Sequence, residues 1–248
     1  VAQYPLETMA DGDIYLMNDP YLGGTHLPDI ALVMPIFAEG HAIAFAAAMT
    51  HHQDVGGMSA GSIPTNATEI YQEGLRLPPL KFRSGQGEFD PTVVRILRLN
   101  SRIPDTFMGD LNAQVSACTI GAERVNELAS GHGVRTFRDL FAELLDRSES
   151  MTRAALRDLP QGTYSYVDFN DNDGIDLDRR IRIEVAVTLK DGRFLCDFTG
   201  ASAQVGHLAA GDWLAVGQQP ADHCYYGQTD RDHFHEQDLR EDELPGLT

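Results

Sequence analysis

Imidazole and carboxylate side chains crowd two short stretches of this chain, Asn18–Asp29 (NDPYLGGTHLPD) and His51–Gly57 (HHQDVGG). His nitrogen and Asp oxygen are the donors that Zn²⁺ and Mn²⁺ take, and a catalytic ion keeps a position open for water or substrate. His26 and Asp29, three apart around a proline-bearing turn, supply two ligands. His51 or His52 supplies a third, and Asp19 ligates as well or orients a ligating imidazole. Asp54 is a further alternate ligand and, if it does not bind the ion, the best-placed general base. Each residue taken singly also has a plainer reading: Asp and Gly build turns, and paired histidines close a strand.

These residues need an element that gathers them. Two apolar runs, Ile30–Phe37 and Ala42–Met49, flank Ala38-Glu39-Gly40-His41, a polar break with a glycine able to take positive φ. That pattern reads as a β-hairpin. Pairing across Glu39–Gly40 puts Asp29 opposite Thr50 and His26 opposite Gln53, between His52 and Asp54. The hairpin thus carries its donors at one end.

Five ordered blocks, Asn18–Asp29, His51–Gly57, Glu69–Pro79 (EIYQEGLRLPP), Asn100–Gln114 (NSRIPDTFMGDLNAQ) and Asp197–Gln204 (DFTGASAQ), resemble segments of the hydantoinase B/oxoprolinase family. The resemblance implies the B-type component of an ATP-dependent cyclic amidase, opening a lactam or imide with a metal-bound water. It also implies a partner A-type subunit that uses ATP, a small cyclic amide as substrate, an oligomeric complex, and Glu73 as a carboxylate near the chemistry. On this reading the expected ligand set is His26, Asp29 and His52, with His51, Asp19 and Asp54 as alternates. The same family includes components of acetone and acetophenone carboxylases, which is the enzymatic alternative. A third reading makes the chain a truncated, non-catalytic paralogue acting as an interaction module.

Composition narrows the field. A net charge of −18 over 248 residues argues against nucleic-acid backbones and anionic membrane surfaces as partners. Three cysteines without a CxxC pair suggest neither a disulfide framework nor a cysteine zinc site, and fit a reducing cytoplasm. No apolar run reaches the roughly 20 residues that cross a bilayer, and Val1–Leu6 lacks signal-peptide character. The first residue is not methionine, which leaves room for an upstream piece. The glycine-rich stretch after Asp54 lacks the GK[ST] ending of a phosphate loop, and no GxSxG occurs.

The rest of the chain reads as α+β: a β-hairpin-rich N-terminal part, central helices and a C-terminal antiparallel β-meander. Four regions are expected, 1–90, 91–160, 161–205 and a divergent tail over 206–248. Asp90-Pro91 is an N-cap and N1 pair opening a helix with Val93, Val94, Ile96, Leu97 and Leu99 on its apolar side. Pro104 opens a second helix to about Ala129; Arg102, Asp110 and Gln114, polar residues of a block the family shares, read as a helix-surface ion pair rather than as ligand binders. Thr136 with Asp139 forms a capping box for a third, running to Leu159, with Leu140, Phe141, Leu144, Leu145 and Met151 in its buried stripe. Strands follow at Thr163–Phe169, Arg180–Leu189 and Arg193–Phe198 with a turn at Lys190-Asp191-Gly192, while Asn170–Asp176 reads as a hydrated acidic turn. The tail's His223, Cys224, His233 and His235 are scattered in polar, acidic sequence and read as disorder rather than a second metal site.

Overall fold

A computed structural model describes residues 3–203 apart from Thr65 and Ile175; the expectations for 206–248 lie outside the described residues. The fold is α+β. The first sheet holds β1 (Ile14–Met17), β2 (Asp29–Ala38), β3 (His41–His51) and β4 (Leu80–Arg83), all antiparallel, in the order β3-β2-β1-β4. Three helices follow, α1 (Pro91–Asn100), α2 (Pro104–His132) and α3 (Val134–Asp158). The second sheet is a meander of β5 (Gly162–Asn170), β6 (Ile181–Lys190) and β7 (Arg193–Asp197). Chain contacts separate two units. One lies within Val1–Leu144 and Asp171–Arg180, the other within Leu145–Asn170 and Ile181–Gln204.

The β2–β3 hairpin turns where expected. Glu39 and Gly40 both have positive φ, 52° and 82°, as a tight hairpin turn matching strand twist requires. Its register departs from expectation. Next to the turn, Ala38 pairs with His41 and Phe37 with Ala42, but an irregularity between Ile36 and Phe37 shifts everything beyond by one residue. Asp29 therefore faces His51, and Thr50 faces Ile30. Directly opposed residues share a face of the sheet, so this single step exchanges the sides of His51 and His52.

The core of the first unit lies between that sheet and α2. Ile30, Leu32 and Met34 alternate inward from β2, Ile14 and Leu16 come from β1, and Phe82 from β4. Phe107, Leu111, Val115 and Cys118, at helical spacing, meet them from α2. Strand β4 has no counterpart among the expected elements. It is a short edge strand tied to β1 by Lys81, whose Nζ bonds the buried Asp13 carboxylate at 2.7 Å.

Asp90 caps α1 as expected, accepting from the amides of Thr92 and Val93, with Pro91 at N1. The expected apolar side is too wide: Leu97 is 1% exposed, whereas Leu99 is 86% exposed and Ile96 also faces out. Helix α2 runs three residues past Ala129, through Gly131, and stops at Gly133, whose φ is 82°. Helix α3 starts two residues before Thr136, so that residue lies inside the helix and the capping box is not formed. Phe137 is buried, but Leu140, Phe141, Leu144, Leu145 and Met151 are exposed rather than a buried stripe. In the second unit every residue of β5 except Asn170 is exposed, and β5 pairs with β6 alone among the described strands. Asp191 and Gly192 make the expected turn, both with positive φ.

The two leucines of α1 provide a direct check. Leu97→Ala should cost about 2–5 kcal/mol by removing a packed core side chain, and Leu99→Ala should stay within about 0.5 kcal/mol. Urea denaturation of both variants measures the difference; equal losses would contradict the packing of this helix.

Candidate metal centre

His26 sits in the turn that leads into β2. The Asp29 amide donates to the His26 carbonyl at 3.0 Å, and the His26 amide lies 3.3 Å from Asp29 Oδ2. The loop carrying His26 is anchored by Asn18, which is fully buried. The Asn18 amide nitrogen donates to the carbonyls of Leu27 (2.6 Å) and Leu75 (2.8 Å), and its oxygen accepts from the Leu77 amide at 2.6 Å. Both amide hydrogens and the oxygen of Asn18 fasten one loop to another.

The hairpin supplies the rest. Asp29 opens β2 and His51 ends β3, directly opposite. The two oxygens of Asp29 divide between two rings, Oδ2 at 2.5 Å from His26 Nδ1 and Oδ1 at 2.9 Å from His51 Nδ1. The imidazoles stand edge to face with centroids 6.0 Å apart. Among the described residues, His26, Asp29 and His51 form a group whose ligand atoms lie within 4.8 Å of one another. Two nitrogens and one carboxylate oxygen suit Zn²⁺ or Mn²⁺, and three protein ligands leave coordination positions free. The carboxylate is mostly buried, with its side chain 11% exposed, while that of His51 is 48% exposed, so the group opens to solvent on one side. The donor set, its spacing and its access fit a divalent ion.

The expected set gathered His52 in place of His51, and the structure separates His52 from the group. The shifted register turns its ring inward, fully buried and 4.5 Å from the Phe107 ring. Its Nε2 donates to Gln114 Oε1 at 3.0 Å, and its Nδ1 is buried without a hydrogen-bond partner among the described residues. Burial lowers its pKa below the ordinary histidine value, which the Gln114 contact only partly opposes.

Asp54 lies outside the three-residue group, and its carboxylate is engaged in the loop that follows. Its buried carboxylate accepts four hydrogen bonds, from the amides of Gly56 (3.0 Å), Gly61 (3.1 Å) and Arg102 (3.0 Å) and from Arg102 Nη1 (2.9 Å). Burial pushes its pKa up, but the two Arg102 bonds and the glycine amides outweigh that and hold it below the usual carboxylate range. Arg102 also donates to the carbonyls of Gly56, Ser59 and Gly57, so one ion pair shapes the whole 54–61 loop. Gly57 has φ of 80°, and a Cβ there would meet the Glu73 backbone at 2.5 Å. Only glycine fits that close approach.

Asp19 is likewise spent on structure. Its carboxylate caps the 3₁₀ turn Pro20–Leu22 through the Tyr21 amide and bonds Arg76 Nε at 2.7 Å. Glu73 is half-buried at the end of the turn Ile70–Gln72 and lies outside the three-ligand group. Burial also raises the Cys118 thiol pKa, consistent with a core side chain rather than a nucleophile. Two contributors escaped the sequence reading, Asn18 and Gln114. Both are buried amides, and only their place inside the fold distinguishes them from turn or surface residues.

Comparison with known proteins decides the family. The family described as hydantoinase B/oxoprolinase matches residues 1–209. The chain belongs to this family. It is 35% identical to a putative B-type subunit of a D-/L-hydantoinase from a Pseudomonas species, over 80% of its own length and 34% of the relative's. It is 37% identical to the beta subunit of the caprolactamase of Pseudomonas jessenii, over 66% of its length and 28% of that protein. The crystal structure of the ATP-dependent caprolactamase from that organism overlays with a TM-score of 0.74 at 32% identity, covering 84% of this chain and 36% of that one. An uncharacterised protein of Methanocaldococcus jannaschii is 35% identical over 78% of the chain and 33% of its own length. The chain thus spans about a third of the length of these curated relatives. The described residues include no helix long and apolar enough to cross a membrane.

The Asp54 network has a pH signature. A carboxyl whose folded pKa is depressed binds its proton more weakly folded than unfolded, so its stabilisation is full above the unfolded value of about 4 and is lost as pH falls through the folded value. Stability should therefore decline as pH drops below about 4. Asp54→Asn should flatten part of that decline and cost about 1–3 kcal/mol at neutral pH, because one amide oxygen cannot serve four donors. Urea midpoints across that pH range test this; an unchanged slope in the variant would refute the role given to Asp54.

Proposed function

We propose that this chain forms part of the B-type component of an ATP-dependent cyclic amidase, with His26, Asp29 and His51 holding a divalent ion, Zn²⁺ or Mn²⁺, at the reacting centre. The observation that carries the proposal is the convergence of two imidazoles on opposite oxygens of one carboxylate, at the open end of the β2–β3 hairpin. The reaction class is supported by relatives named as components of a caprolactamase and a hydantoinase, and as 5-oxoprolinases. That two of these relatives are named as single subunits of larger enzymes supports a partner chain, an A-type subunit that binds ATP and activates the cyclic amide. The substrate is then a small lactam or imide.

Each residue has work in this scheme. Asp29 is bonded to both rings at once and so fixes their planes relative to each other. His51, half in solvent, presents the edge that substrate meets first, and His26 closes the opposite side from a loop pinned by Asn18. When bound, the ion polarises the amide carbonyl and makes water nucleophilic near neutral pH. Asp54 and Arg102 keep their loop in one shape without touching the three ligands.

A carboxylase component is the second reading, favoured by 30% identity over 71% of the chain to the delta subunit of the acetophenone carboxylase of Aromatoleum aromaticum. An acetone carboxylase structure, with a TM-score of 0.74 at 23% identity, shares the fold.

His26→Ala, Asp29→Ala and His51→Ala should each weaken metal binding about tenfold or more and abolish turnover, while the far-ultraviolet spectrum stays native. Assays of the full chain with an A-type subunit and ATP, supplied with a cyclic amide or with acetone and bicarbonate, separate the two reactions. Full metal content in all three variants would overturn the proposal.

A further inference from the structure

Helix α2, packed on the hairpin through apolar side chains, hydrogen-bonds to it through Gln114. Gln114 is 2% exposed and lies in the core layer beside Leu111 and Val115. Its amide nitrogen donates to the carbonyl of Ile30 on β2 at 2.8 Å and to the carbonyl of Ala48 on β3 at 3.1 Å. Its oxygen accepts from His52 Nε2 at 3.0 Å. The amide orientation is fixed by chemistry, because two carbonyls can face only the nitrogen. The oxygen must then face the ring, and His52 must carry its proton on Nε2.

The three partners are not arbitrary. Ile30 follows Asp29, and His52 follows His51. Ala48 sits on the same strand as His51, opposite Leu32. One side chain is therefore bonded to the backbone next to Asp29, to a β3 carbonyl three residues before His51, and to the ring that follows His51. A one-residue slip of β3 against β2 would break this arrangement and turn His51 away from Asp29. The pairs beside the tight turn already follow the other register.

We propose that Gln114 is the positioning residue of the metal centre: bonded to both strands and to His52, it holds the register in which His51 and Asp29 meet. This rests on the metal-centre reading given above. It assigns Gln114 no contact with the ion or with substrate.

The test is titration of the full chain with Zn²⁺ and with Mn²⁺, followed by calorimetry, for wild type, Gln114→Met and Gln114→Glu. Methionine keeps the volume and loses all three bonds; glutamate keeps an acceptor for His52 but cannot donate to Ile30 or Ala48. Leu111→Ala serves as the control, because it opens the same core layer without touching a strand carbonyl. Nuclear magnetic resonance of the metal-free proteins reads the His52 tautomer and the cross-strand contact between Asp29 and His51. Both Gln114 variants should bind metal about tenfold or more weakly and lose the Asp29–His51 contact, while Leu111→Ala keeps both. Unchanged affinity in the two Gln114 variants, or an equal loss in Leu111→Ala, would overturn the proposal. If one variant fails to fold, the other decides. A wild type that takes up neither ion removes the metal-centre reading itself. That failure differs from a wild type that binds while the Gln114 variants match it.

Discussion

The pairing of β2 with β3 is the constraint on which the candidate centre depends. A strand alternates its side chains between two faces, so register decides which histidine of His51-His52 meets Asp29 and which enters the core. The irregularity between Ile36 and Phe37 makes that decision far from the site, close to the turn. Beyond it, the inward face of β2 places Ile30, Leu32 and Met34 against α2, and the opposite face places Asp29 beside His51. Burial of the aliphatic residues and assembly of the polar group follow from one geometric step. Apolar burial provides the driving force, at about 25 cal/mol per Å², and the polar donors gather as a consequence.

Around that hairpin, buried polar side chains act as fasteners. Asn18 ties the His26 loop to 75–77, Asp54 and Arg102 close the loop that follows His52, and Gln114 joins the helix to both strands. Each is nearly saturated with hydrogen bonds, which is the condition for a buried polar group to be tolerated. These fasteners differ in kind from the three-residue group. Their donors and acceptors are consumed internally, whereas the His26–Asp29–His51 group is partly open to solvent.

Much of the fold was legible because local chemistry marks it. Glu39-Gly40 and Asp191-Gly192 announced their turns through residues suited to positive φ, and Asp90-Pro91 announced a helix start. That His26 and Asp29 would lie together was legible from type and spacing. Which of His51 and His52 meets Asp29 was not, since Pro35 inside a paired strand hints at an irregularity without fixing the register, and the simple count from the turn selects the other face. Asp54 looked like a free base because sequence shows a carboxylate but not the four donors around it. Gln114 looked like surface because a long polar helix carries many such residues, and only packing against β2 and β3 buries this one. Leu99 and the Leu140–Met151 stripe show the converse: apolar spacing states a preference for burial, and tertiary structure decides whether a partner is there.

Strand β5 carries a separate consequence for handling the protein. Among the described strands it pairs on one side only, and Tyr164, Tyr166, Val167 and Phe169 are exposed along it. An outer strand of this kind offers a row of open backbone groups beside sticky aromatic surface, the combination that templates association between identical molecules. No proline interrupts Gly162–Asn170, and Asp168 is its one acidic residue. In concentrated solution, self-association is therefore expected to begin at this margin of the meander, well away in sequence from the histidines.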